Sequence, residues 1–214
     1  HIYPDYSLYQ QYTEDTAYGF LTRGCPRACE FCIVAKKEGK RSVKVADLSE
    51  FWNGQKKIVL LDPNILACRD WKSLFCQLID SKAEIDFNQG LDIRLMNEEK
   101  AHMLAARKIR EVHFAWDKYD DREAVLKGLE LYAKVTDMSP NGHHDIVYTI
   151  VNFDTTIEQD LDRIYTLRDT GYWPFVMVYD KENASDTHKR LQRWVNNRYL
   201  FGAVKRFEDL KQKV

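Results

Sequence analysis

The strongest chemical signal in this chain is a group of three cysteines near its start. Cys25, Cys29 and Cys32 have the spacing C-x3-C-x2-C within residues 19–34, and a Gly-Cys-Pro turn opens the loop that carries them. Ordinary iron–sulfur sites use four thiolates to hold their irons. Three thiolates leave one metal position open, as in catalytic zinc sites. The spacing therefore predicts a metal centre that takes part in a reaction.

A zinc site is the main alternative for these thiols, and three unligated thiols are the second. Zinc requires a fourth protein ligand at a structural site. No histidine lies near the loop in the sequence, and His143 and His144 could supply that ligand only if the fold brought them close. The residues alone leave these alternatives open.

The same segment resembles the signature of the radical S-adenosylmethionine (SAM) enzymes. The resemblance rests on the three cysteines, on the predicted strand before them, and on the aromatic Phe31 just before the last cysteine. It implies that Cys25, Cys29 and Cys32 ligate a [4Fe–4S] cluster whose open iron binds the amino and carboxylate groups of SAM. It also implies that one electron, from a reducing partner such as flavodoxin or ferredoxin, cleaves SAM to a 5′-deoxyadenosyl radical.

The composition is that of a globular chain with reduced thiols. The chain has 214 residues, which is enough for one domain with a sizeable core. It is 44% hydrophobic and 30% charged, and its net charge is −1. No apolar run reaches membrane-spanning length, and no signal peptide is visible. Five cysteines, three of them clustered, argue against a disulfide framework. We expect a cytoplasmic protein, because a cluster-binding loop needs a reducing compartment.

Strand and helix patterns alternate along the chain and predict an α/β fold. The predicted strands are residues 17–22, 57–62, 83–89, 109–116, 146–152 and 174–179. The predicted helices are residues 45–52, 71–79, 97–108 with a cap at Asn97, 121–135, a segment from a cap at Asp154 or Thr155 to Gly171, and a last helix containing Leu191, Trp194 and Val195.

Strict alternation implies a parallel sheet with right-handed crossovers. A full eight-unit barrel takes about 250 residues, so six units predict a partial (β/α)6 TIM-like barrel with a six-stranded parallel sheet. The radical SAM resemblance implies the same fold.

We expect three segments: an N-terminal arm over 1–16, a core domain over 17–200, and a basic tail over 201–214. The arm repeats tyrosine every three residues, which favours packing onto the domain over a base-stacking platform; these residues are Tyr3, Tyr6, Tyr9 and Tyr12. Because the chain begins with His1 rather than Met, the arm is also interpreted as the remnant of a missing upstream domain, for example a cobalamin-binding one.

The carboxyl ends of the predicted strands nominate further binding residues, because ligands of parallel α/β sheets bind there. Polar side chains at these ends suit the ammonium, carboxylate and ribose of SAM, and the resemblance places Phe31 near the adenine. The cofactor-binding candidates are Phe31, Asp62, Asn64, Gln89, Arg94, Asp117 and Asn152. Arg94 could instead pair with Asp92 or Asp117, and Asp117 could cap the helix that follows it. No residue is assigned a catalytic role.

The turn after the second predicted strand departs from the family pattern. The family often carries Gly-Gly-Glu there to contact the SAM amino group, whereas this chain has Leu-Asp-Pro-Asn at 61–64. The turn is loosely similar to that of relatives with a cobalamin-binding domain. Nearby, Cys68 is predicted to lie on the active face. A role as a radical relay or as a ligand of a second cluster is the less favoured interpretation, because a second cluster needs more cysteines than remain. Cys76 is predicted to lie in the core.

Basic residues dominate two stretches of the chain. Residues 36–44 hold five basic residues and one acidic residue, and the segment from Ser185 onward holds eight basic and three acidic residues. Solvated surface is the favoured interpretation of both, and contact with nucleic-acid phosphate is the alternative.

The resulting hypothesis is a radical SAM iron–sulfur enzyme, an oxidoreductase whose substrate the sequence does not reveal. One alternative is a SAM-dependent radical methyl or methylthio transferase acting on RNA or a small molecule. The other is a non-enzymatic metal-binding module that recognises nucleic acid through its basic C-terminal helix. Nucleic acid is therefore a less favoured partner, and no membrane partner is expected.

Overall fold

The structure is a computed structural model of the 214-residue chain. It describes residues 10–106, 109–136 and 145–210. Several sequence predictions fall outside these ranges: the first three tyrosines of the arm, the possible zinc ligands His143 and His144, and the last basic residues of the tail. The side chain of Tyr12 is likewise not described.

Six strands form a parallel sheet flanked by helices, which confirms the α/β class and the six-stranded parallel sheet. The chain contains β1 (Thr16–Gly19), β2 (Thr22–Arg23), β3 (Val43–Lys44), β4 (Lys57–Leu60), β5 (Glu84–Leu91), β6 (Ile109–Ala115), β7 (Asp145–Val151) and β8 (Trp173–Val178). The large sheet has the order β1-β4-β5-β6-β7-β8 and is not closed, and β2 and β3 form a separate antiparallel pair.

Helices lie between successive strands of this sheet from β4 to β8, and other helices precede β1, follow the cysteines or follow β8. They are α1 (Gln10–Thr13), α2 (Val34–Lys37), α3 (Trp71–Asp80), α4 (Glu98–Leu104), α5 (Arg122–Thr136), α6 (Ile157–Asp169), α7 (Asp186–Asn196) and α8 (Arg198–Ala203). Short 3₁₀ helices lie at Leu48–Glu50, Ile65–Ala67, Ile93–Leu95, Tyr119–Asp121 and Phe207–Asp209. No helix in the described ranges combines the length and the apolar character needed to cross a bilayer.

The chain divides into two compact units, and the first is His1–Phe114 together with Leu126–Met138. Its core forms where α3 packs on the sheet: Leu74, Phe75 and Leu78 are buried, and Phe75 stacks on Phe87 of β5 with ring centroids 5.3 Å apart. On the next strand, Phe114 meets Tyr132 of α5 edge to face at 4.9 Å. Apolar burial of this kind contributes roughly 25 cal/mol per Å² and holds the helices on the sheet.

The second unit is Ala115–Val125 together with Ser139–Val214. Its core gathers Val151, Val176, Leu191, Trp194 and Val195, which confirms the predicted inward face of α7. Phe201 and Phe207, from the segment predicted as a tail, are buried in the same cluster. The edge of β8 is covered by side chains of α7, because Asn196 and Gln192 bond the backbone N–H and C=O of Val176. Such covering keeps an edge strand from pairing with other chains.

The first predicted strand, residues 17–22, is wrong in its extent. β1 ends at Gly19, and after Phe20 and Leu21 the chain starts the separate strand β2. The ladder stops because the backbone N–H groups of Leu21 and Thr22 donate to the carboxylate of Asp62 instead of to a neighbouring strand.

Two predicted helices differ from the structure. Residues 45–52 contain only the 3₁₀ turn Leu48–Glu50, and the apolar residues Val45, Leu48 and Phe51 recur every three residues, which is the 3₁₀ period. α4 begins at the predicted cap, since the Asn97 side chain accepts from the N–H of Lys100, but it ends at Leu104.

The cap of α6 is Thr156 rather than Asp154 or Thr155. Its side chain accepts from the N–H of Gln159, whose own side chain accepts from the N–H of Thr156, forming a capping box. The predicted end at Gly171 is confirmed, because this glycine has the left-handed φ of +87° that follows many helix ends.

Candidate metal centre

The candidate site begins at a buried carboxylate that links the end of β1 to the turn after β4. Asp62 is 4% exposed, and its Oδ1 accepts from the N–H and the hydroxyl of Thr22, both at 2.6 Å. The N–H of Leu21 donates to the same carboxylate at 3.1 Å. Burial raises the pKa of Asp62 to about 6, although these hydrogen bonds favour the charged form. Asp62 therefore holds the start of the cysteine loop, and its contact with a SAM ammonium stays a prediction.

The hairpin β2–β3 closes the base of the cysteine loop. Thr22 pairs with Lys44 and Arg23 with Val43, and the N–H of Cys25 donates to the carbonyl of Gly39 at 3.1 Å. Gly24 has a φ of +83°, and a Cβ there would lie 2.2 Å from the carbonyl oxygen of Arg41. Only glycine fits this close approach. The backbone on both sides of Cys25 is thus fixed to the returning strand.

The three predicted metal ligands lie on this loop and are half-buried. Cys25, Cys29 and Cys32 form no disulfide. The N–H of Cys32 donates to the carbonyl of Cys29 at 3.0 Å, and Ala28 adopts a left-handed φ of +45°. Within the described residues, no group of three or more His, Cys, Asp or Glu side chains is arranged to hold a metal ion.

Asn64 brings an unpaired buried acceptor next to the loop. It is 2% exposed, and its Nδ2 donates to the sulfur of Cys25 at 3.5 Å. Its Oδ1 is buried with no hydrogen-bond partner. The backbone around it is fixed, because the hydroxyl of Ser42 donates to the Asn64 carbonyl at 2.8 Å. A buried amide oxygen without a partner is costly, and a bound group with an N–H would satisfy it.

The segment after β5 supplies a charged pair beside the loop. Arg94 donates through Nε and Nη2 to both oxygens of Asp92, each at 2.9 Å. Arg27, which lies between the first two cysteines, approaches the same carboxylate at 4.0 Å. Burial raises the pKa of Asp92, but the hydrogen bond and charge of Arg94, with the charge of Arg27, outweigh it and hold the pKa below its usual value. Arg94 thus pairs with Asp92, the alternative that the sequence had left open.

β5 does not end at Gln89, as the sequence predicted, but continues to Leu91 through a bulge. Phe87 pairs with Val112 and Leu91 with Phe114, so three residues of β5 stand opposite His113 alone. Asn88 and Gln89 in this bulge are exposed. His113 is buried, and its Nδ1 lies 2.8 Å from the carbonyl of Phe87, where the bulge begins. Bulges often re-aim side chains near binding sites, and Gln89 lies at this position.

Two of the predicted cofactor residues, Asp117 and Asn152, belong to the second unit. The carbonyls of Trp116 and Asp117 accept from Nη1 of Arg163, each at 2.8 Å. The 3₁₀ turn that follows is preceded by Lys118, so Asp117 does not cap it. Asn152 has a φ of +65°, and its Nδ2 donates to the carbonyl of Tyr179 at 3.0 Å. Arg163 therefore fixes the backbone at Asp117, and the side chain of Asn152 fixes the backbone at Tyr179.

The structure also reveals buried charges that the sequence analysis missed. Lys100 is 8% exposed, and its Nζ donates to the carbonyls of Leu66 and Leu95 at 3.0 and 2.9 Å, which links the turns after β4 and β5. Burial lowers the pKa of Lys100. In the second unit, Arg163 and Asp160 are fully buried and paired at 2.6 Å. All three positions resemble ordinary surface helix residues, so no sequence signal set them apart.

The two remaining cysteines differ from each other. Cys76 is exposed, so the prediction that it lies in the core is wrong: α3 buries positions 74, 75 and 78, and Cys76 lies on its outer side. Cys68 is buried beyond the 3₁₀ turn Ile65–Ala67, and burial raises the pKa of its thiol. A raised thiol pKa disfavours the thiolate that metal binding needs.

The residues of the first unit fit an iron–sulfur cluster in their chemistry. Three thiols free of disulfides share one loop, and a buried acceptor without a partner lies against the first of them. Phe31, also on this loop, is half-buried. The chain matches no model of a known protein family, and none of the curated proteins is similar to it in sequence.

Proposed function

We propose that the chain is the core of a radical SAM enzyme. The observation that supports this most directly is a set of three cysteines, none in a disulfide, with the spacing C-x3-C-x2-C on one loop that follows the first strand of a parallel sheet. In such sheets, ligands bind where the strands end. Beside Cys25, the buried Oδ1 of Asn64 has no hydrogen-bond partner and could accept a hydrogen bond from a bound ligand.

The strand order supports the finer fold, a partial (β/α)6 barrel. The six strands follow one another in the sheet in the order of the chain. In doubly wound sheets, by contrast, the order in which successive strands are added reverses near the middle of the sheet, and ligands bind at that reversal. Barrels have the same sequential strand order in a closed sheet, and their sites are built from residues at several strand ends. A sequential sheet that is not closed is therefore consistent with a partial barrel.

Under this proposal, Cys25, Cys29 and Cys32 hold a [4Fe–4S] cluster and leave one iron open for the amino and carboxylate groups of SAM. When bound, the cluster supplies the electron that cleaves SAM to a 5′-deoxyadenosyl radical. Asn64 Oδ1 accepts a hydrogen bond from the SAM ammonium, which would satisfy its unpaired position. The hairpin and Asp62 keep the start of the loop in place.

The charged pair after β5 suits the carboxylate and ribose of SAM. Arg94, which Asp92 orients through Nε and Nη2, supplies the cation for the carboxylate of SAM. Gln89, exposed in the bulge, has both a donor and an acceptor for a ribose diol. Asp117 and Asn152 remain candidates at the strand ends of the second unit.

The experiment is anaerobic SAM cleavage by the whole chain. The protein is reconstituted with iron and sulfide, reduced with dithionite and given SAM, and 5′-deoxyadenosine is measured by liquid chromatography. We expect product from the native chain and none from Cys25→Ser, Cys29→Ser or Cys32→Ser. Cys76→Ser is the matched control, because this exposed cysteine lies outside the loop. Cleavage by any of the three loop variants would overturn the proposal.

The same assay separates the alternative functions. A methylated or methylthiolated product labelled from SAM, in place of 5′-deoxyadenosine alone, would indicate a methyl or methylthio transferase. A protein that holds zinc, takes up no iron and binds RNA with strong salt dependence would indicate a nucleic-acid-binding module.

A further inference from the structure

A basic surface lies in the segment that connects the last loop cysteine to β3. It consists of Lys36, Lys37, Lys40 and Arg41, all of which are exposed. None of the four forms an ion pair with another residue in the described part of the chain. We call these four residues the loop cations. The chain as a whole has a net charge of −1, so this concentration of positive charge is local.

The other charges of the same segment are neutralised internally. Glu38 pairs with Arg23 at 2.6 Å and accepts from the N–H of Gly24 at 3.1 Å. Lys44 pairs with Asp47 at 2.6 Å. The segment therefore uses its acidic residue to fix the hairpin, and the loop cations face solvent without a counter-charge.

Hydrogen bonds tie the loop cations to the backbone around Cys25. The carbonyl of Gly39, directly before Lys40, accepts from the N–H of Cys25, and the carbonyl of Arg41 lies against Gly24. α2, which carries Lys36 and Lys37, follows Cys32 after one residue. The positive charge thus lies within a few residues of the first and the last loop thiol.

Two exposed aliphatic side chains accompany this charge. Ile33, directly after Cys32, is 57% exposed, and Val43 in β3 is 43% exposed. Specific protein interfaces combine an apolar centre with a polar rim. Single-stranded nucleic-acid sites instead combine cations with exposed aromatic rings for stacking. Aliphatic rather than aromatic exposure among the loop cations favours a protein partner.

We propose that the loop cations, with Ile33 and Val43, form the docking surface for an acidic electron-transfer protein that carries a flavin or an iron–sulfur centre. The inference rests on the proposed function, because it concerns the delivery of the electron to the cysteine loop. One electron leaves the reduced flavin or iron–sulfur centre of the partner, which is oxidised by one electron. The cluster of this chain gains that electron, and no bond is formed or broken in the docking step.

The test measures binding of a purified, acidic flavodoxin to the cluster-loaded chain by isothermal titration calorimetry. The test variant reverses all four loop cations: Lys36→Glu, Lys37→Glu, Lys40→Glu and Arg41→Glu. The matched control makes the same chemical change on exposed residues of other elements: Lys127→Glu, Lys181→Glu, Arg193→Glu and Lys205→Glu. Both variants change the net charge equally and both replace three lysines and one arginine. Circular dichroism confirms that each variant is folded.

We expect the test variant to bind flavodoxin on the order of 10- to 100-fold more weakly than the native chain, and the control to bind within about threefold, because complementary charge acts locally. Native binding should weaken between about 0.05 M and about 0.3 M salt, where the Debye length falls below about 10 Å. Equal binding by the test variant and the native chain, or equal weakening in both variants, would overturn the proposal. Binding of a single-stranded RNA oligomer that depends on the loop cations, with no flavodoxin binding, would also overturn it.

Failure of this proposal can be told apart from failure of the proposed function. Cluster loading is measured first, by iron and sulfide content. A chain that loads a cluster and cleaves SAM with dithionite, but binds flavodoxin independently of the loop cations, contradicts only the docking surface. A chain that takes up no iron–sulfur cluster contradicts the proposed function and the docking proposal together.

Discussion

The buried carboxylate of Asp62 should make the stability of this protein fall as the pH rises. Asp62 accepts hydrogen bonds from Leu21 and Thr22 in a site closed to water, and burial raises its pKa to about 6. The folded protein then binds the Asp62 proton more tightly than the unfolded chain does. A group with a raised pKa in the folded state stabilises the fold at low pH, and this contribution is lost as the pH rises through the folded pKa. The perturbation that isolates it is Asp62→Asn, which is neutral at every pH.

The magnitude follows from the two pKa values. A rise from 3.8 to about 6 corresponds to about 3 kcal/mol of stability, at about 1.4 kcal/mol per pKa unit. About 1.4 kcal/mol of this is lost between about pH 5 and about pH 7.5, because the unfolded carboxyl is already mostly ionised at pH 5. Over that range the free energy of unfolding of the native protein should fall by this amount relative to Asp62→Asn.

The assay is urea denaturation of both proteins at several pH values between about 5 and about 7.5. Asp80→Asn, on the exposed end of α3, is the control for the change in net charge. Asp62→Asn will also lose part of a hydrogen bond to Leu21, but that loss is the same at every pH. If the native protein instead gains stability over Asp62→Asn as the pH rises, the hydrogen bonds to the carboxylate outweigh its burial, and the reasoning is refuted.

Two further substitutions test how the loop and the second unit are held. Gly24→Ala should destabilise the protein by at least about 2 kcal/mol in chemical denaturation, because φ is +83° and a Cβ would contact the Arg41 carbonyl. The control is Gly39→Ala, which should cost about 1 kcal/mol, because φ is +100° but the space around the residue is open. Equal costs would mean that the close approach at Gly24 does not exist. Arg163→Met should cost about 3–5 kcal/mol, because it removes the guanidinium that pairs with the fully buried Asp160. The control is Arg122→Met, which breaks the half-exposed pair of Arg122 and Asp162 and should lower the free energy of unfolding by less than about 1 kcal/mol. A similarly small loss in Arg163→Met would show that the pair of Arg163 and Asp160 is not buried.

The sequence predicts the sheet well because its signals are local and repeated. Strand patterns at 57–60 and 109–115 are followed by turn residues and alternate with helical patterns. Such units pack as strand and helix in an α/β fold. Asn97 and Gly171 were identified because a cap depends on its own side chain or on its own freedom at positive φ.

The extent of the first strand was predicted wrongly because a distant residue decides the backbone there, whereas two other misses had local signals. β1 stops at Gly19 because Asp62, far along the chain, takes the N–H groups of Leu21 and Thr22, and no local pattern announces this. The bulge in β5 did have a local signal, since polar residues followed by Gly90 within a strand pattern favour a bulge. The box formed by Thr156 and Gln159 was also visible in the sequence.

In the candidate site, too, some features could be predicted from the sequence and others depend on the fold. The three cysteines were found by their spacing alone. The unpaired oxygen of Asn64, the pairing of Arg94 with Asp92, and the role of Lys100 are properties of the folded chain, because each depends on which carbonyl or carboxylate the fold brings near. Residue type nominated Asn64 and Arg94 as polar groups at strand ends, but only the structure gives their partners.

The most direct test of the account is electron paramagnetic resonance of the reconstituted, reduced protein with and without SAM. The account predicts the signal of a reduced [4Fe–4S] cluster that changes shape when SAM is added, because SAM binds the open iron. It predicts that Cys25→Ser loses this signal and that Cys76→Ser keeps it. A cluster signal that SAM leaves unchanged, or a protein that holds zinc and gives no cluster signal, would contradict the central claim.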